Sequence, residues 1–304
     1  IAGNVQQLIS ARSCMSMDKF NLSWINHREN YDALSRSDLL PAEYKKNKES
    51  CRKIIDMGCG NGSFLRWCYK KNIMFDEMSL IDNDKKLLYD FFPRTVKYLK
   101  KYSHKITKSS FSKYEIKKNN DNKVRNINIV NINILDSLKY INEYNLVSFS
   151  AMSDLLSKNI IKKILDRIDQ NKSIYFSICF DGNIKWNVKN NFDKYITMMF
   201  NKHQQNDKGT GNAMGAKSIK YIETYSKKKN YNVKIKDSSW IITSLTSDHI
   251  KFKKMYLDTI YNGLKHDQNI DKKILKGWYL SRLKTIKLKR DTVTVGHKDI
   301  LVLT

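Results

Sequence analysis

Three glycines at alternate positions, Gly58, Gly60 and Gly62, follow directly on the apolar segment KIID. Without β-carbons they let a ligand approach the backbone closely, and a helix that starts there offers free N–H groups. Such glycines can also simply permit tight packing. Ser63 stands where the dinucleotide fingerprint G-x-G-x-x-G has its last glycine. Asp56, two residues before the first glycine, would repel a pyrophosphate but suits a ligand that carries an ammonium or a sulfonium group.

Two further acidic residues end later apolar segments. Asp82 lies about twenty residues beyond the glycines, where an acidic side chain can accept hydrogen bonds from both hydroxyls of a ribose. The neighbouring Asn83 belongs to the same predicted site, whereas Asp84 is interpreted as the cap of the next helix. Asp82 could itself be only a cap. Asp136, at the end of the third strand, can accept a hydrogen bond from an adenine amino group or can cap a loop.

Strands and helices alternate along the chain at a spacing typical of βαβ units, which predicts a mainly parallel sheet covered on both faces. The pattern predicts strands at 52–57, 77–81, 124–134, 145–151 and 173–180, with strand-like segments at 231–243 and 292–304. Helices are predicted at 18–46, 63–71, 84–101, 157–170 and 216–229, with a further helical segment between the last two strands. Residues 114–123 and 181–215 are predicted to be irregular, and Pro41 and Pro93 to interrupt helices.

The composition indicates a globular protein. The chain has 304 residues, of which 41% are hydrophobic, and it contains only two prolines. No apolar run approaches the length of a spanning helix, and no signal peptide is visible, so we expect a soluble cytoplasmic protein. Residues 1–17 are interpreted as a tag, a linker or a disordered terminus, and 18–304 as a single domain. Five cysteines without metal-ligand spacing predict reduced thiols and no metal site.

The formal net charge of +26 comes mostly from lysine, because only ten of the 56 basic residues are arginine. The lysines are scattered through a chain that is also rich in Asn, Ile and Tyr, as an AT-rich coding sequence would produce. A nucleic-acid-binding protein would be expected to cluster arginines and aromatic residues on one face. The charge therefore favours a solvated surface over a nucleic-acid interface.

The segment from Asp56 to Gly62, together with Asp82 and the pair Leu135-Asp136, resembles the successive motifs of class I S-adenosylmethionine-dependent methyltransferases. The resemblance is good over residues 52–180 and less specific beyond them. It implies a Rossmann-like α/β fold with a seven-stranded sheet in the order 3-2-1-4-5-7-6, in which strand seven is antiparallel and is supplied by the segment from Asp291 to Thr304. It also implies S-adenosylmethionine as the cofactor and methyl transfer as the reaction.

The resemblance assigns further residues to the site. It places Ser150 and Met152 on the side of methyl transfer with Asp154 close by, and it makes the helical region 18–46 a lid over the cofactor. Ordinary core packing of the aromatic residues in that region is an equal alternative. The predicted cofactor-binding residues are Asp56, Gly58, Cys59, Gly60, Gly62, Asp82, Asn83, Leu135, Asp136, Ser150, Met152, Arg28 and Tyr31.

Substrate recognition is assigned to residues 181–215, a polar segment that follows an apolar strand and suits a pocket for a small polar metabolite. The predicted substrate-binding residues are Asp181, Trp186, Asn201, Gln204 and Lys208. Methyl transfer from a sulfonium is an in-line displacement, and it needs a general base only when the acceptor holds a proton. The candidate bases are His203, which titrates near neutral pH, and the carboxylates Asp154 and Asp207.

Three alternatives remain open. A methyltransferase that acts on RNA or DNA is suggested by the charge, but the chain has neither an N/D-P-P-Y/F tetrapeptide nor a Pro-Cys pair. A binding protein that retains the fold without catalysis is compatible with the motifs. A nicotinamide-dependent dehydrogenase is disfavoured by Asp56 and Ser63. The acceptor atom and the oligomeric state are not encoded in any recognisable pattern.

Overall fold

The structure is a computed structural model, and it describes residues 22–119, 123–209 and 211–304. The predicted tag or linker, 1–17, and the first residues of the predicted lid lie outside this part of the chain. The lid region contains two helices, α1 (Leu22–Ser35) and α2 (Leu39–Lys46). Pro41 does not close the region, because it lies in the first turn of α2, where no intrahelical N–H donor is needed.

The glycine cluster connects β1 (Lys53–Met57) to α3 (Ser63–Lys70), as predicted. The next unit is β2 (Glu77–Asp82) followed by α4 (Lys85–Leu99). Pro93 does not interrupt α4, since it lies on the exposed face of the helix, where water can satisfy the carbonyl group that loses its partner. Asp84 caps α4 by accepting a hydrogen bond from the backbone N–H of Lys86 at 2.8 Å.

The predicted irregular stretch at 114–123 is wrong over residues 114–118. The chain there forms β4 (Lys113–Lys118), which pairs in antiparallel fashion with β3 (His104–Lys108) and with β5 (Val124–Asn131). Tyr114 and Ile116 alternate with polar residues and are buried, as in a strand with one covered face. The flanking lysines made this period of two hard to recognise in the sequence.

The second half of the domain begins with a four-residue helix α5 (Ile134–Ser137), then β6 (Leu146–Ser150) and α6 (Lys158–Arg167). The remaining elements are β7 (Ser173–Trp186), α7 (Asp193–Gln204), α8 (Lys217–Lys228), β8 (Asn232–Asp237), β9 (Trp240–Ile242), α9 (Ser247–Leu264), α10 (Lys272–Thr285) and β10 (Val293–Leu303).

The predicted irregular stretch at 181–215 is therefore largely wrong. β7 continues to Trp186, because Ile184 and Trp186 alternate with polar residues and are buried. Helix α7 follows, and its buried residues Ile196, Met199 and Phe200 have the spacing of one helical face. The surrounding Asn, Lys and Asp residues obscured both patterns.

The described strands form one ten-stranded sheet in the order β3-β4-β5-β2-β1-β6-β7-β10-β8, with β9 paired to β10. Without the β3–β4 hairpin and β9, this order is third, second, first, fourth, fifth, seventh, sixth. β10 runs antiparallel to β7, β8 and β9, whereas β1, β2, β5, β6 and β7 are mutually parallel. The Rossmann-like fold implied by the resemblance is thus confirmed, with an added antiparallel hairpin at one edge.

Three hydrophobic cores lie against the sheet, and the third includes the buried residues of the C-terminal helices α9 and α10. Trp67 and Cys68 of α3 are buried in the first core. In the third core, Trp240 of β9 and Phe252 of α9 pack with Trp24 of α1, so that the N-terminal helix is attached to the C-terminal part of the domain.

β7 bulges twice against β10. At the first bulge, Ser177 and Ile178 lie opposite the single residue Asp299, and Ile178 has a φ of 54°. A positive φ is costly for a β-branched residue and persists only when its surroundings hold it. Here the buried carboxylate of Asp299 accepts a hydrogen bond from the backbone N–H of Ile178 at 2.8 Å.

The same carboxylate holds the turn between α1 and α2. It accepts hydrogen bonds from the backbone N–H of Ser37 at 2.7 Å, from the Ser37 hydroxyl at 2.9 Å and from the Tyr175 hydroxyl at 2.6 Å. One buried group therefore connects β10, the bulge in β7 and the N-terminal helices.

We predict that Asp299→Asn lowers the free energy of unfolding by about 3 kcal/mol, because the new amide N–H₂ group would face hydrogen-bond donors in a buried site. Urea denaturation monitored by circular dichroism measures this change. Asp237→Asn is the matched control, since Asp237 is an exposed carboxylate that pairs with Lys298 and accepts hydrogen bonds only from Ser239 in its own turn, and its loss should cost less than about 1 kcal/mol. Equal losses in the two variants would contradict the role given to Asp299.

Candidate functional site

The glycine loop is tied to the adjacent strand and is open on one side. The backbone N–H groups of Gly58 and Cys59 both donate to the carbonyl of Ile81, at 2.8 and 2.9 Å. A β-carbon on Gly62, the N-cap of α3, would lie 2.6 Å from the Phe91 ring, so this glycine serves packing. A β-carbon on Gly60, in contrast, would meet no atom within 4 Å. Gly60 has a φ of 56° and faces open space in which a ligand could lie against the backbone.

Asp82 ends β2 beside this open space. One of its carboxylate oxygens accepts the backbone N–H of Gly60 at 2.8 Å, and the other accepts the backbone N–H of Asp84 at 2.8 Å. Burial raises the pKa of Asp82. A carboxylate offers about four acceptor positions, so two remain for a ligand such as a pair of ribose hydroxyls. Asn83, the next residue, is exposed.

Leu135 and Asp136 lie at the adjacent strand end. Both are exposed in the short helix α5, and the preceding β5 reaches Asp82, whose carbonyl accepts the side-chain amide of Asn131 at 3.0 Å. The cap of α5 is Asn133, which accepts the backbone N–H of Leu135 at 2.9 Å. The structure thus gives the cap of α5 to Asn133 rather than to Asp136.

Asp56 is fully buried in β1, and neither of its carboxylate oxygens has a hydrogen-bond partner among the described residues. Burial raises the pKa of Asp56 to about 7, while the neighbouring hydroxyl of Ser148 and, to a smaller extent, the positive charge of Arg36 act in the opposite direction. An unpaired buried carboxylate is costly unless a ligand compensates for it, so Asp56 is a strong indication of a site.

The predicted residues after β6 also lie at this edge of the sheet. The Met152 side chain packs against Gly58, where its sulfur would lie 2.8 Å from an added β-carbon. The hydroxyl of Ser150 is 3.1 Å from that of Ser177, at the first bulge of β7. Ala151 has a φ of 53°, so non-glycine residues in the left-handed region occur both directly after β6 and at the first bulge within β7.

Arg36 is a candidate site residue that the sequence analysis missed. Its side chain, only 4% exposed, reaches the end of β6 and the first bulge of β7, donating from Nη2 to Ser150 and from Nε to Ser177, both at 3.3 Å. The guanidinium also lies over the rings of Phe64 and Trp67, at 5.9 and 5.5 Å. The one available signal was its type, an arginine in a chain whose basic residues are mostly lysine.

Helix α1 is docked beside the glycine loop by polar residues. Asn61 donates to the side-chain oxygen of Asn26 at 2.8 Å, and Glu29 pairs with the buried Arg66 at 2.5 Å and with Arg94 at 2.7 Å. Although burial acts in the opposite direction, Arg66 and Arg94 hold the pKa of Glu29 below its usual value. The helix therefore adjoins the loop, as a lid would.

The predicted cofactor contacts on α1, Arg28 and Tyr31, lie on another side of the helix. Tyr31 stacks on Phe252 with ring centroids 4.0 Å apart, and burial raises its pKa to about 12. Arg28 pairs with Asp32 at 3.1 Å and lies over the ring of Trp240. These aromatic contacts correspond to the core-packing alternative.

Asp154 is a buried carboxylate on the side of the edge assigned to methyl transfer. Burial raises the pKa of Asp154 to about 6, and the positive charges of Arg28 and Lys208 act against this rise. The three charged groups come from separate segments, and the backbone carbonyl of Asp154 also accepts the N–H of Gly215 at 3.0 Å. Asp154 is therefore suited to exchange a proton near neutral pH.

The other two candidate bases are placed differently. His203, in the last turn of α7, packs against Gly263 of α9, and burial lowers its pKa. The carboxylate of Asp207 accepts the backbone N–H groups of Gly209 at 2.7 Å and Gly211 at 3.0 Å, which gives it a structural role in a turn.

The predicted substrate residues are dispersed. Trp186 belongs to the third core, where Arg282 lies 4.2 Å above its ring, and this contradicts a substrate contact. Asp181 caps a turn through the N–H of Asn183, and its carboxylate occupies the space left by the missing side chain of Gly296. The three others are on or just after α7. Asn201 donates to the carbonyl of Gly182 at 2.9 Å, Gln204 is half-buried, and the positive charge of Lys208 is near enough to lower the pKa of Asp154.

In the described ranges, no three side chains of His, Cys, Asp or Glu are grouped as a metal ion would require. The helices of the same ranges include none with the length and apolar character needed to cross a bilayer.

No protein-family model matches the chain, and no curated protein matches it. Among solved structures, a precorrin-6Y C5,15-methyltransferase from Geobacter metallireducens is 9% identical with a TM-score of 0.40, covering 87% of this chain and 88% of that one. A SAM-dependent methyltransferase from Thiobacillus denitrificans in complex with S-adenosylhomocysteine is 9% identical with a TM-score of 0.39, covering 92% and 97%. A SAM-dependent methyltransferase from Archaeoglobus fulgidus is 14% identical with a TM-score of 0.36, covering 87% and 92%. At TM-scores below 0.5, none of these likenesses assigns an activity or a ligand to this chain.

The raised pKa of Asp56 predicts a pH-dependent stability. Between about pH 4 and pH 7 the native state holds a proton that the unfolded state releases, so this residue's contribution to stability falls as the pH rises. Asp56→Asn should remove that fall, stabilising the protein relative to wild type more at pH 8 than at pH 5, by on the order of 2 kcal/mol. Urea denaturation at the two pH values measures the difference. The same increment at both would show that Asp56 titrates normally.

Proposed function

We propose that this chain is a methyltransferase that uses S-adenosylmethionine. The observation that carries the proposal is the combination of open space at Gly60 with two differently placed carboxylates, Asp82 and Asp56. Asp82 retains acceptor positions for ribose hydroxyls, and the unpaired Asp56 suits the cationic end of the cofactor. These residues would hold the cofactor, which supplies an electrophilic methyl group when it is bound.

The alternatives from other classes fit these residues less well. In a nicotinamide-dependent dehydrogenase the pyrophosphate would approach the loop, and the charge of an ionised Asp56 would oppose it. A binding protein without catalysis would not need a second buried carboxylate, yet Asp154 lies at the same edge with its pKa raised to about 6 by burial. We therefore assign Asp154 as the general base for an acceptor that holds a proton. His203 is retained as a weaker candidate because it packs against α9.

We propose that the acceptor is a small polar molecule. Asp154 is buried, and Arg28 and Lys208 lie close enough for their positive charges to lower its pKa, so charged groups of both signs are available in one region. Such a region can fix the orientation of a polar metabolite by paired hydrogen bonds and charges. Nucleic acid would instead need an exposed basic surface, for which the overall charge is the only support.

Calorimetric titration with S-adenosylmethionine, S-adenosylhomocysteine and NAD tests the cofactor. We expect binding of both adenosyl ligands and at least about tenfold weaker binding by Asp82→Asn, because an amide offers the ribose hydroxyls fewer acceptor positions. Asp84→Asn is the matched control, because asparagine can also cap helix α4. The affinity of this variant for the adenosyl ligands should equal that of the wild type. Wild-type protein that bound NAD alone, or none of the three, would refute the methyltransferase proposal.

Transfer of a labelled methyl group tests the acceptor. We expect label from S-adenosylmethionine to enter the small-molecule fraction of a cell extract and not its purified RNA or DNA. Asp82→Asn protein serves as the inactive control, and chromatography of the labelled fraction would identify the product. Label in nucleic acid, with binding that weakens steeply as salt rises, would instead favour the nucleic-acid alternative.

A further inference from the structure

Two buried groups of opposite charge lack partners in the candidate site. Nη1 of Arg36 and both carboxylate oxygens of Asp56 form no hydrogen bond within the described residues. Arg36 is 4% exposed and Asp56 is not exposed at all. Buried polar groups without partners are rare because each costs free energy, and charged groups cost more than neutral ones.

The protein fixes the position of the Arg36 side chain but provides no charged partner for its guanidinium group. Its neighbour Ser37 is fixed by two hydrogen bonds to Asp299, and its guanidinium lies over the rings of Phe64 and Trp67. The donors Nε and Nη2 have only neutral hydroxyl partners at 3.3 Å, and Arg36 forms no ion pair with a described carboxylate. A guanidinium fixed in this way is prepared to bind an external carboxylate.

Asp56 lies close enough for the charge of Arg36 to lower its pKa, yet the two side chains form neither a hydrogen bond nor a salt bridge. A cation and an anion that are neighbours but unpaired match a ligand that carries both charges. The amino-acid end of S-adenosylmethionine is such a zwitterion, with an α-carboxylate and an α-ammonium group on one carbon.

We propose that Arg36 binds the α-carboxylate of the cofactor, with Asp56 on the side of its α-ammonium group. This inference rests on the proposed function and specifies which residue recognises the amino-acid end. Arg36 is then a specificity residue, which distinguishes the intact cofactor from adenosyl compounds that lack the carboxylate. Asp299 is a positioning residue, because it acts on the ligand only through the turn that carries Arg36.

Calorimetric titration of the full chain with two ligands tests this assignment. S-adenosylhomocysteine carries the carboxylate, and decarboxylated S-adenosylhomocysteine lacks only that group. We expect the wild type to bind the first at least about tenfold more tightly than the second, as a charged hydrogen bond predicts. Arg36→Gln should lose about tenfold for S-adenosylhomocysteine and stay within about twofold for the decarboxylated ligand.

Two further variants complete the test. Arg52→Gln is the matched control, because Arg52 is exposed just before β1, at the opposite edge of the sheet, and its loss should change neither affinity. Arg36→Lys keeps the charge but not the planar fork, and it should bind S-adenosylhomocysteine with intermediate affinity. If Arg36→Gln does not fold, the affinities of Arg36→Lys for the two ligands still test the role of Arg36.

The outcomes separate this inference from the proposed function. If wild-type protein binds the two ligands equally, or if both Arg36 variants weaken them equally, Arg36 does not recognise the carboxylate. In either case adenosyl binding persists and the proposed function stands. If wild-type protein binds neither ligand, the proposed function itself is refuted.

Discussion

The buried carboxylate of Asp299 is the interaction on which the candidate site depends. It accepts four hydrogen bonds, two from Ser37 and one each from Tyr175 and the backbone of Ile178. Through them the last long strand holds a strained bulge in β7 and fixes the turn that carries Arg36. Because charged hydrogen bonds in a buried site are strong and directional, one side chain can position elements that are more than a hundred residues apart in sequence.

The carboxyl edge of the sheet combines such satisfied groups with unsatisfied ones. Glu29 is paired with Arg66 and Arg94, whereas Asp56 and Nη1 of Arg36 are buried without partners. A protein that had only to be stable would not retain unpaired charges in its interior. The paired groups hold the frame of the site, and the unpaired ones are available to a ligand, which is the division expected of a preorganised binding site.

Much of the fold and part of the site could be predicted from the sequence. Local patterns of neighbouring residues were enough to recognise three features: the strand before the glycines, the acidic residues at strand ends, and the final strand DTVTVGHKDILVLT. The predictions of secondary structure failed where surface lysines and asparagines obscured the periodic spacing of the few apolar residues. This happened at β4, where Tyr114 and Ile116 are buried, and at α7, where three apolar residues share one face.

The sequence by itself determined the βαβ pattern of a parallel sheet, the glycine loop, and the acidic residue Asp82 at the end of the second strand, since each depends on residues close together along the chain. Only the tertiary structure decided which distant side chains complete the site. Trp186 was removed from it by packing in the third core, and Tyr31 was directed toward α9. Arg36 was added through Ser37 and Asp299, a contact between residues 262 positions apart. No local pattern encodes such a contact, because its free energy exists only once the whole sheet has formed.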